Sequence, residues 1–306
     1  MRKGMAMMRS RPILEYLRKH RAPYLLLAPY LLLFLVFTVL PVLSSMVLSL
    51  TYYNVLEAPR FIFWENYRRL LLNDEVFLIA VRNTFVFAFL TGPVSYTACL
   101  LLAWLIHDLR QGLRSVLTVV FYAPSISGAV YMIWAVMFSG DAYGYINSFL
   151  VRLGLLRDPV AWLEDPRTML GVIILVSIWL SLGTSFLAFV AGLKGVDRDQ
   201  YEAGAIDGIR NRWQELWYIT LPNIRPQLMF GAVIQITAAL AVADVSVNLA
   251  GFPSVDYGAH TIVTHIMDYG ILRFDMGYAS AIATILFLAM VGLNKLVQRL
   301  LSKVGT

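Results

Sequence analysis

Charge is scarce in this chain: only 14% of its 306 residues are Asp, Glu, Lys or Arg, where a soluble domain carries about 25%. Cysteine is nearly absent, and the single Cys99 excludes an intrachain disulfide and leaves no basis for a thiolate metal site. Lying inside an apolar block, Cys99 reads as a small packing residue. The phosphate-cradling pattern Gly-x-x-x-x-Gly-Lys-Ser/Thr occurs nowhere, so no nucleotide loop of that kind is present. His-Glu-x-x-His and Gly-x-Ser-x-Gly are missing too, and His20, His107, His260 and His265 have no metal spacing. His260 and His265 read as polar residues of a loop. Ser125 and Ser127, beside Pro124, read as accommodating a bent helix rather than as nucleophiles. With neither a catalytic pair nor a metal cluster, the sequence argues against an enzyme.

What it has in plenty is apolar side chain, 59% of the residues, at a mean hydropathy of +0.68. These residues form blocks of the length needed for a helix to cross a hydrocarbon layer about 30 Å thick, separated by charged stretches. We read an all-α integral membrane chain with six spans at 24–50, 76–106, 113–138, 169–193, 227–249 and 276–293, within a transmembrane domain at 24–301. The second block allows a kink at Gly92-Pro93. A basic arm at 1–23 precedes the first block, which is too long for the apolar region of a signal peptide.

The net charge of +6 does not call for nucleic acid, because the basic residues are placed by membrane side. Both termini and the loops carrying Arg110 and Lys194 to Arg225 hold 17 Lys and Arg, against 8 on the other side. The positive-inside rule then puts both termini and the 194–226 loop in the cytoplasm. The outward loops are rich in Trp, Tyr, Gly and Pro, which suits interfacial anchoring and contact with an external partner.

That cytoplasmic loop is patterned. Asp197 is placed to cap a short helix, in which Ala203 and Ile206, with Ile209 and Arg210, give one apolar face. Gly208 ends the helix or turns it sharply. A second amphipathic segment runs through Trp213, Leu216 and Trp217 until Leu221-Pro222 stops it. The product is a helical hairpin at the inner membrane surface, which by itself is compatible with a purely topological role.

The loop resembles that of the inner-membrane permeases of binding-protein-dependent ABC importers: Glu-Ala-Ala, three residues, Gly, nine residues, Ile, one residue, Leu-Pro. Here the run is Glu202-Ala203-Gly204, three residues, Gly208, ten residues, Ile219, Thr220, Leu221-Pro222. Gly204 replaces the second Ala, a mild change sterically that weakens a helix by up to about 1 kcal/mol. The extra residue before Ile219 rotates the second half of the loop by about 100° in an unbroken helix, unless the Gly208 turn absorbs it. Further likeness to the oligosaccharide-permease branch lies at Pro41 through Thr51, Asn66-Tyr67 with Leu70, Arg82-Asn83-Thr84, Gly144 with Asn147, and Met276 to Ala281.

The resemblance implies a type I importer-like permease in a bacterial cytoplasmic membrane, with a coupling loop at 196–222. In that family the short helix docks on a cytoplasmic ATPase, where ATP and Mg are bound; this chain would bind no cofactor. Glu202, Ala203, Gly204, Asp207, Gly208, Leu221 and Pro222 would form the coupling site, the small residues allowing close approach of the partner. The expected partners are a second permease in a heterodimer, two ATPase subunits, an extracytoplasmic solute-binding protein and membrane lipid. A secondary transporter or channel is the rival reading, and it leaves the hairpin without a role.

Polar residues inside the spans suggest where a carbohydrate would pass. Thr237, Ala241, Asp244 and Asn248 recur on one helical stripe, as do Ser177, Ser181, Thr184 and Ala188. They offer hydrogen bonds to sugar hydroxyls, with Tyr131 or Trp179 as an aromatic face. Close helix packing is the competing explanation, favoured for the Ser181 and Thr184 stripe, whereas Asp244 is read as a pathway or inter-subunit residue.

Overall fold

The computed structural model describes residues 21–128 and 130–302. The basic arm up to residue 20, with six Lys and Arg and His20, and Lys303 lie outside them. Among the described residues five helices are long and apolar enough to cross a membrane, with a sixth if a pair bent by 83° is counted as one span.

The first helix, α1 (Ala22–Leu48), is strongly apolar and largely exposed, and only its last turns pack on the end of the chain. A two-stranded ribbon follows, β1 (Thr51–Tyr52) against β2 (Arg60–Phe61), Thr51 facing Phe61. Asn66, in the short α2 (Glu65–Leu72), donates to the carbonyls of Ser49 and Thr51 at 2.9 Å each, which closes this loop.

The central element is α3 (Glu75–His107), 33 residues capped by Asp74, whose carboxylate accepts the amide of Phe77 at 2.9 Å. At 1.5 Å per residue it is about 50 Å long, so it projects beyond the apolar layer. The helix continues through Gly92-Pro93 without interruption. The Thr91 and Thr97 hydroxyls occupy the carbonyls of Phe87 and Pro93 at 2.8 and 2.7 Å beside that site.

The third apolar block, expected as one span at 113–138, is two helices, α4 (Gln111–Ile126) and α5 (Val130–Met137), set at 83°. Pro124 withholds an amide from the last turn, Ser127 adopts an extended backbone, and Gly128 opens the corner. Hydropathy reads through such a break because every residue near it but the serines is apolar or small.

After α6 (Tyr145–Arg152) the fourth block is also broken, into α7 (Met169–Leu180) and α8 (Thr184–Lys194) around Ser181-Leu182-Gly183. The loop region holds α9 (Arg198–Ile206), α10 (Arg212–Glu215), a π turn at Leu216–Thr220 and one helical turn at Leu221–Asn223. Pro222 does not stop the segment as expected. It sits in the first turn of that piece, where a proline lacks no partner, and the chain breaks later, at Ile224. The fifth block is α11 (Arg225–Leu240) and α12 (Asp244–Ala250), parted at Ala241 to Ala243. Next come α13 (Ile262–Met267), a π turn at Asp268–Leu272, and the long α14 (Met276–Leu301).

α3 is the axis on which α7, α8 and α11 pack, while α14 lies against α11 and α1. Three apolar clusters result. One at the loop end joins Trp104 and Ile106 of α3 to Phe186, Phe189, Leu216 and Leu221. A second, at the opposite end, joins Leu70, Phe77, Tyr269, Tyr278 and Ile282, and a third packs Phe138 against Met169, Val176 and Leu249. Close approach needs glycine at Gly277, where a Cβ would fall 2.1 Å from the Thr51 carbonyl oxygen.

Candidate functional site

The hairpin at 196–222 is built by its own hydrogen bonds. Asp197 caps α9 through the amide of Asp199 at 3.2 Å. Gly208 ends it at φ +96°, with the Ile209 amide reaching the Gly204 carbonyl at 2.9 Å and the Gly208 amide reaching Ala205 at 3.4 Å, the paired bonds of a Schellman motif. Asn211 then caps α10 on the amide of Gln214.

Glu202, Ala203, Asp207 and Gly208 stand exposed on this hairpin, Leu221 is buried and Pro222 half-buried. Gly204 points the other way. It is buried, and a Cβ there would lie 2.5 Å from Ile219 Cδ1, so glycine serves the packing of α9 on its own chain rather than the approach of a partner. The apolar face expected through Ile206 is likewise turned around: Ile206 is 87% exposed, and the inward line is Tyr201, Gly204 and Ile209. The Tyr201 hydroxyl meets Thr220 Oγ1 at 2.9 Å, and Asn223 donates to Gln200 at 2.5 Å.

The extra residue before Ile219 is not absorbed at Gly208. It is taken up by the π turn, where the Leu221 amide bonds to the Leu216 carbonyl five residues back. A π turn holds one residue more than an α turn. The faces before and after it therefore keep their register, and Ile219 reaches Gly204 although the linear spacing is one too long.

Within the apolar layer, the three broken blocks meet at a cavity of 410 Å³, inside the range of roughly 300–1,000 Å³ typical of small-molecule sites. Pro124 to Ser127, Ser181, Gly183, and Ala241 to Asp244 all line it. Irregular backbone is tolerated at such depth only where protein or a wet cavity satisfies it. Here Gln235 Nε2 donates at 3.3 Å to the Ser181 carbonyl, which also accepts the Gly183 amide at 2.8 Å.

Of the expected path residues, Asp244, Ser181, Thr184 and Tyr131 line the cavity together. Thr237 and Asn248 do not: Thr237 binds its own helix at Val233, and Asn248 donates to the Asp244 carbonyl at 2.7 Å. The fifth-span stripe presupposes an unbroken helix, and the break at Ala241 to Ala243 parts Thr237 from Asp244. Ser177, Ser181 and Thr184 lie together on the cavity wall, without Ala188. Trp179 is absent from the lining and stands edge-on to Trp134 at 5.3 Å.

Among the described residues Asp244 is the sole charged side chain of the lining, and it opens α12, where the helix dipole favours a carboxylate. Thr91, Ser95 and Gln235 are wall residues that the sequence reading missed. The four-residue step from Thr91 to Ser95 and an amide inside an apolar helix were the available signals. The Ser95 and Ser177 hydroxyls are buried on this wall with no partner among the described residues.

At the end opposite the hairpin, His260, in the loop before α13, and His265, within α13, are buried, being 1% and 0% exposed. His260 Nε2 meets His265 Nδ1 at 3.0 Å, His265 Nε2 meets Asp74 Oδ2 at 3.0 Å, and the Tyr278 hydroxyl donates to that oxygen at 2.7 Å. Spacing alone did not reveal this, because Asp74 lies 191 residues from His265 and 204 from Tyr278 in the chain.

Comparison with known proteins bears on the whole arrangement. Residues 96–304 match the family described as "Binding-protein-dependent transport system inner membrane component". The chain is 32% identical to the probable ABC transporter permease protein YesP of Bacillus subtilis, over 95% of this chain and 93% of that protein. It is 29% identical to the arabinooligosaccharides transport system permease protein AraP of the same species, over 89% and 86%. The lactose transport system permease protein LacF of Rhizobium radiobacter is 30% identical over 72% and 73%. Among solved structures, a chain of a bacterial ABC transporter involved in import of the acidic polysaccharide alginate superposes with a TM-score of 0.75 at 25% identity, covering 95% of this chain and 99% of that one. The chain thus belongs to the binding-protein-dependent transport system inner membrane components, as an all-α, multi-pass ABC importer permease of the type I fold, a transport subunit rather than an enzyme.

Proposed function

We propose that this permease forms half of the translocation path for a carbohydrate, an oligosaccharide or related glycoside, in an ATP-driven importer of a bacterial cytoplasmic membrane. The observation that carries the reading is the 410 Å³ cavity at the three helix breaks, walled by serine and threonine hydroxyls, Gln235, Tyr131 and the single carboxylate of Asp244. Hydroxyls and amides at such a wall match the hydrogen-bonding groups of a sugar, and two wall hydroxyls have no partner among the described residues. The names of AraP and LacF point to the same solute class.

The basic side, 17 against 8, faces the cytoplasm in this reading. The exposed side of α9, with Glu202, Ala203 and Asp207, docks on an ATPase subunit that holds ATP and Mg. A second, different permease completes the path, and an extracytoplasmic binding protein delivers the solute. The partners are supported by the family alone.

The test is reconstitution with coexpressed neighbouring subunits, followed by uptake of labelled oligosaccharides. Asp244→Ala lowers uptake at least tenfold with assembly unchanged; full uptake removes Asp244 from the path. A Glu202→Ala and Gly208→Ala double variant loses binding-protein-stimulated ATP hydrolysis, and unaffected stimulation sinks the docking assignment. A secondary transporter has no use for the hairpin, and uptake without any ATPase would favour it.

A further inference from the structure

The hairpin is fastened to the cavity-bearing helix by a joint whose parts are far apart in sequence. At the loop end of α3, Trp104 is 8% exposed and Asp108 closes the helix. The Arg212 guanidinium, at the start of α10, pairs with the Asp108 carboxylate and lies 4.8 Å from the centre of the Trp104 ring. Trp213 packs on the same ring from beside it, with centroids 4.9 Å apart. Arg114 of α4 donates to the His107 carbonyl at 3.0 Å, holding the end of α3 in place.

On its other side, this segment is gripped by α9 through Tyr201 and Thr220, and through Gly204 under Ile219. α3 in turn carries Phe87, Thr91 and Ser95 to the cavity wall. A continuous chain of contacts therefore runs from α9 through the π turn and α10 to α3, which extends to the cavity wall. A planar guanidinium can pair with a carboxylate and stack on an indole at once, which an ammonium cannot. The ion pair is about half exposed and adds little to stability, so its significance is positional.

We infer that Arg212, seated between Trp104 and Asp108, is the positioning residue that passes movement of the α9 helix to α3 and thereby to the cavity. The inference rests on the docking role proposed for α9. It differs from that role in assigning no ATPase contact to Arg212.

The test uses the full complex with its ATPase and second permease, in a Cys99→Ala background carrying Thr91→Cys as a reporter on the cavity wall. Maleimide labelling is measured without nucleotide and after trapping with ATP, Mg and vanadate. The reporter rate is expected to change at least fivefold on trapping. With Arg212→Gln, or with Asp108→Asn, the change falls below twofold while the ATPase still copurifies and hydrolyses ATP, and Arg212→Lys lies between. A full change in both Arg212→Gln and Asp108→Asn overturns the inference. Loss of the bound ATPase in Arg212→Gln also overturns it, because Arg212 is then a docking residue. Absence of ATPase or of any rate change with Arg212 intact instead overturns the docking role on which the inference stands.

Discussion

Asn147 is fully buried and uses both ends of its amide: the nitrogen donates to the carbonyls of Ser139, Asp141 and Val160, and the oxygen accepts from the Val160 amide and Trp162 Nε1. Asn66 and Asn83 do similar work, Asn83 reaching the carbonyls of Tyr257, Gly258 and His260. These asparagines lie in the short stretches that resemble the oligosaccharide permeases, and there they fasten loops. Asn147→Ala leaves several buried groups unpaired, each worth about 1–3 kcal/mol, so a total loss of about 3 kcal/mol or more is expected. A thermal unfolding midpoint in detergent unchanged from that of the native protein would contradict this. The fasteners were legible as motif residues but not as to role, because their partners are backbone carbonyls that only the folded loop brings together.

Among the elements, the π turn and the broken helices show what a linear pattern conceals. Leu216–Thr220 absorbs one residue, and Tyr218 within it is 67% exposed. Deleting Tyr218 should restore an α turn with Ile219 still against Gly204, so ATPase copurification and its stimulation persist. Inserting an alanine after Tyr218 adds a second surplus residue, rotates the downstream segment by about 100°, and should abolish both. If the deletion proves as damaging as the insertion, the turn does more than hold register. The helix breaks were half legible: Pro124 with Ser127-Gly128 and Ser181 with Gly183 are visible breakers, but nothing local marks Ala241 to Ala243. There the helix is interrupted, and Thr261 Oγ1 donates to the Val242 carbonyl at 2.7 Å, satisfying a group that the interruption frees.

For the molecule as a whole, the buried chain of His260, His265, Asp74 and Tyr278 ties the start of α3 to α13 and α14. Burial pushes the His260 imidazole down to about 4, with its neighbour His265 adding to the effect. Burial acts against the Asp74 carboxylate, but the hydrogen bonds from His265 and Tyr278 overcome it and hold its pKa well below the usual range. In the unfolded chain a histidine titrates near 6.5. Between about 6.5 and 4 the unfolded state therefore binds a proton that folded His260 refuses, so stability is full above 6.5 and falls as the pH drops toward 4. Asp74 adds stability that is present above about 4 and lost as the pH falls further. The unfolding midpoint should thus decline from pH 7 to pH 5, and His260→Asn should flatten that decline. A slope unaltered in His260→Asn would place the acid sensitivity elsewhere.

Sequence by itself determined the membrane-embedded all-α class, the family and the position of the patterned loop, because apolar block length, caps and the Gly208 turn act over a few residues. Tertiary structure alone decided that Gly204 faces inward, that the surplus residue sits in a π turn, that Asp244, Ser181, Thr184 and Tyr131 share a cavity while Thr237 and Asn248 do not, and that two histidines are buried. Each of these depends on a polar or packing partner supplied by a distant segment. Away from water, a freed backbone group or buried side chain is stable only where such a partner stands.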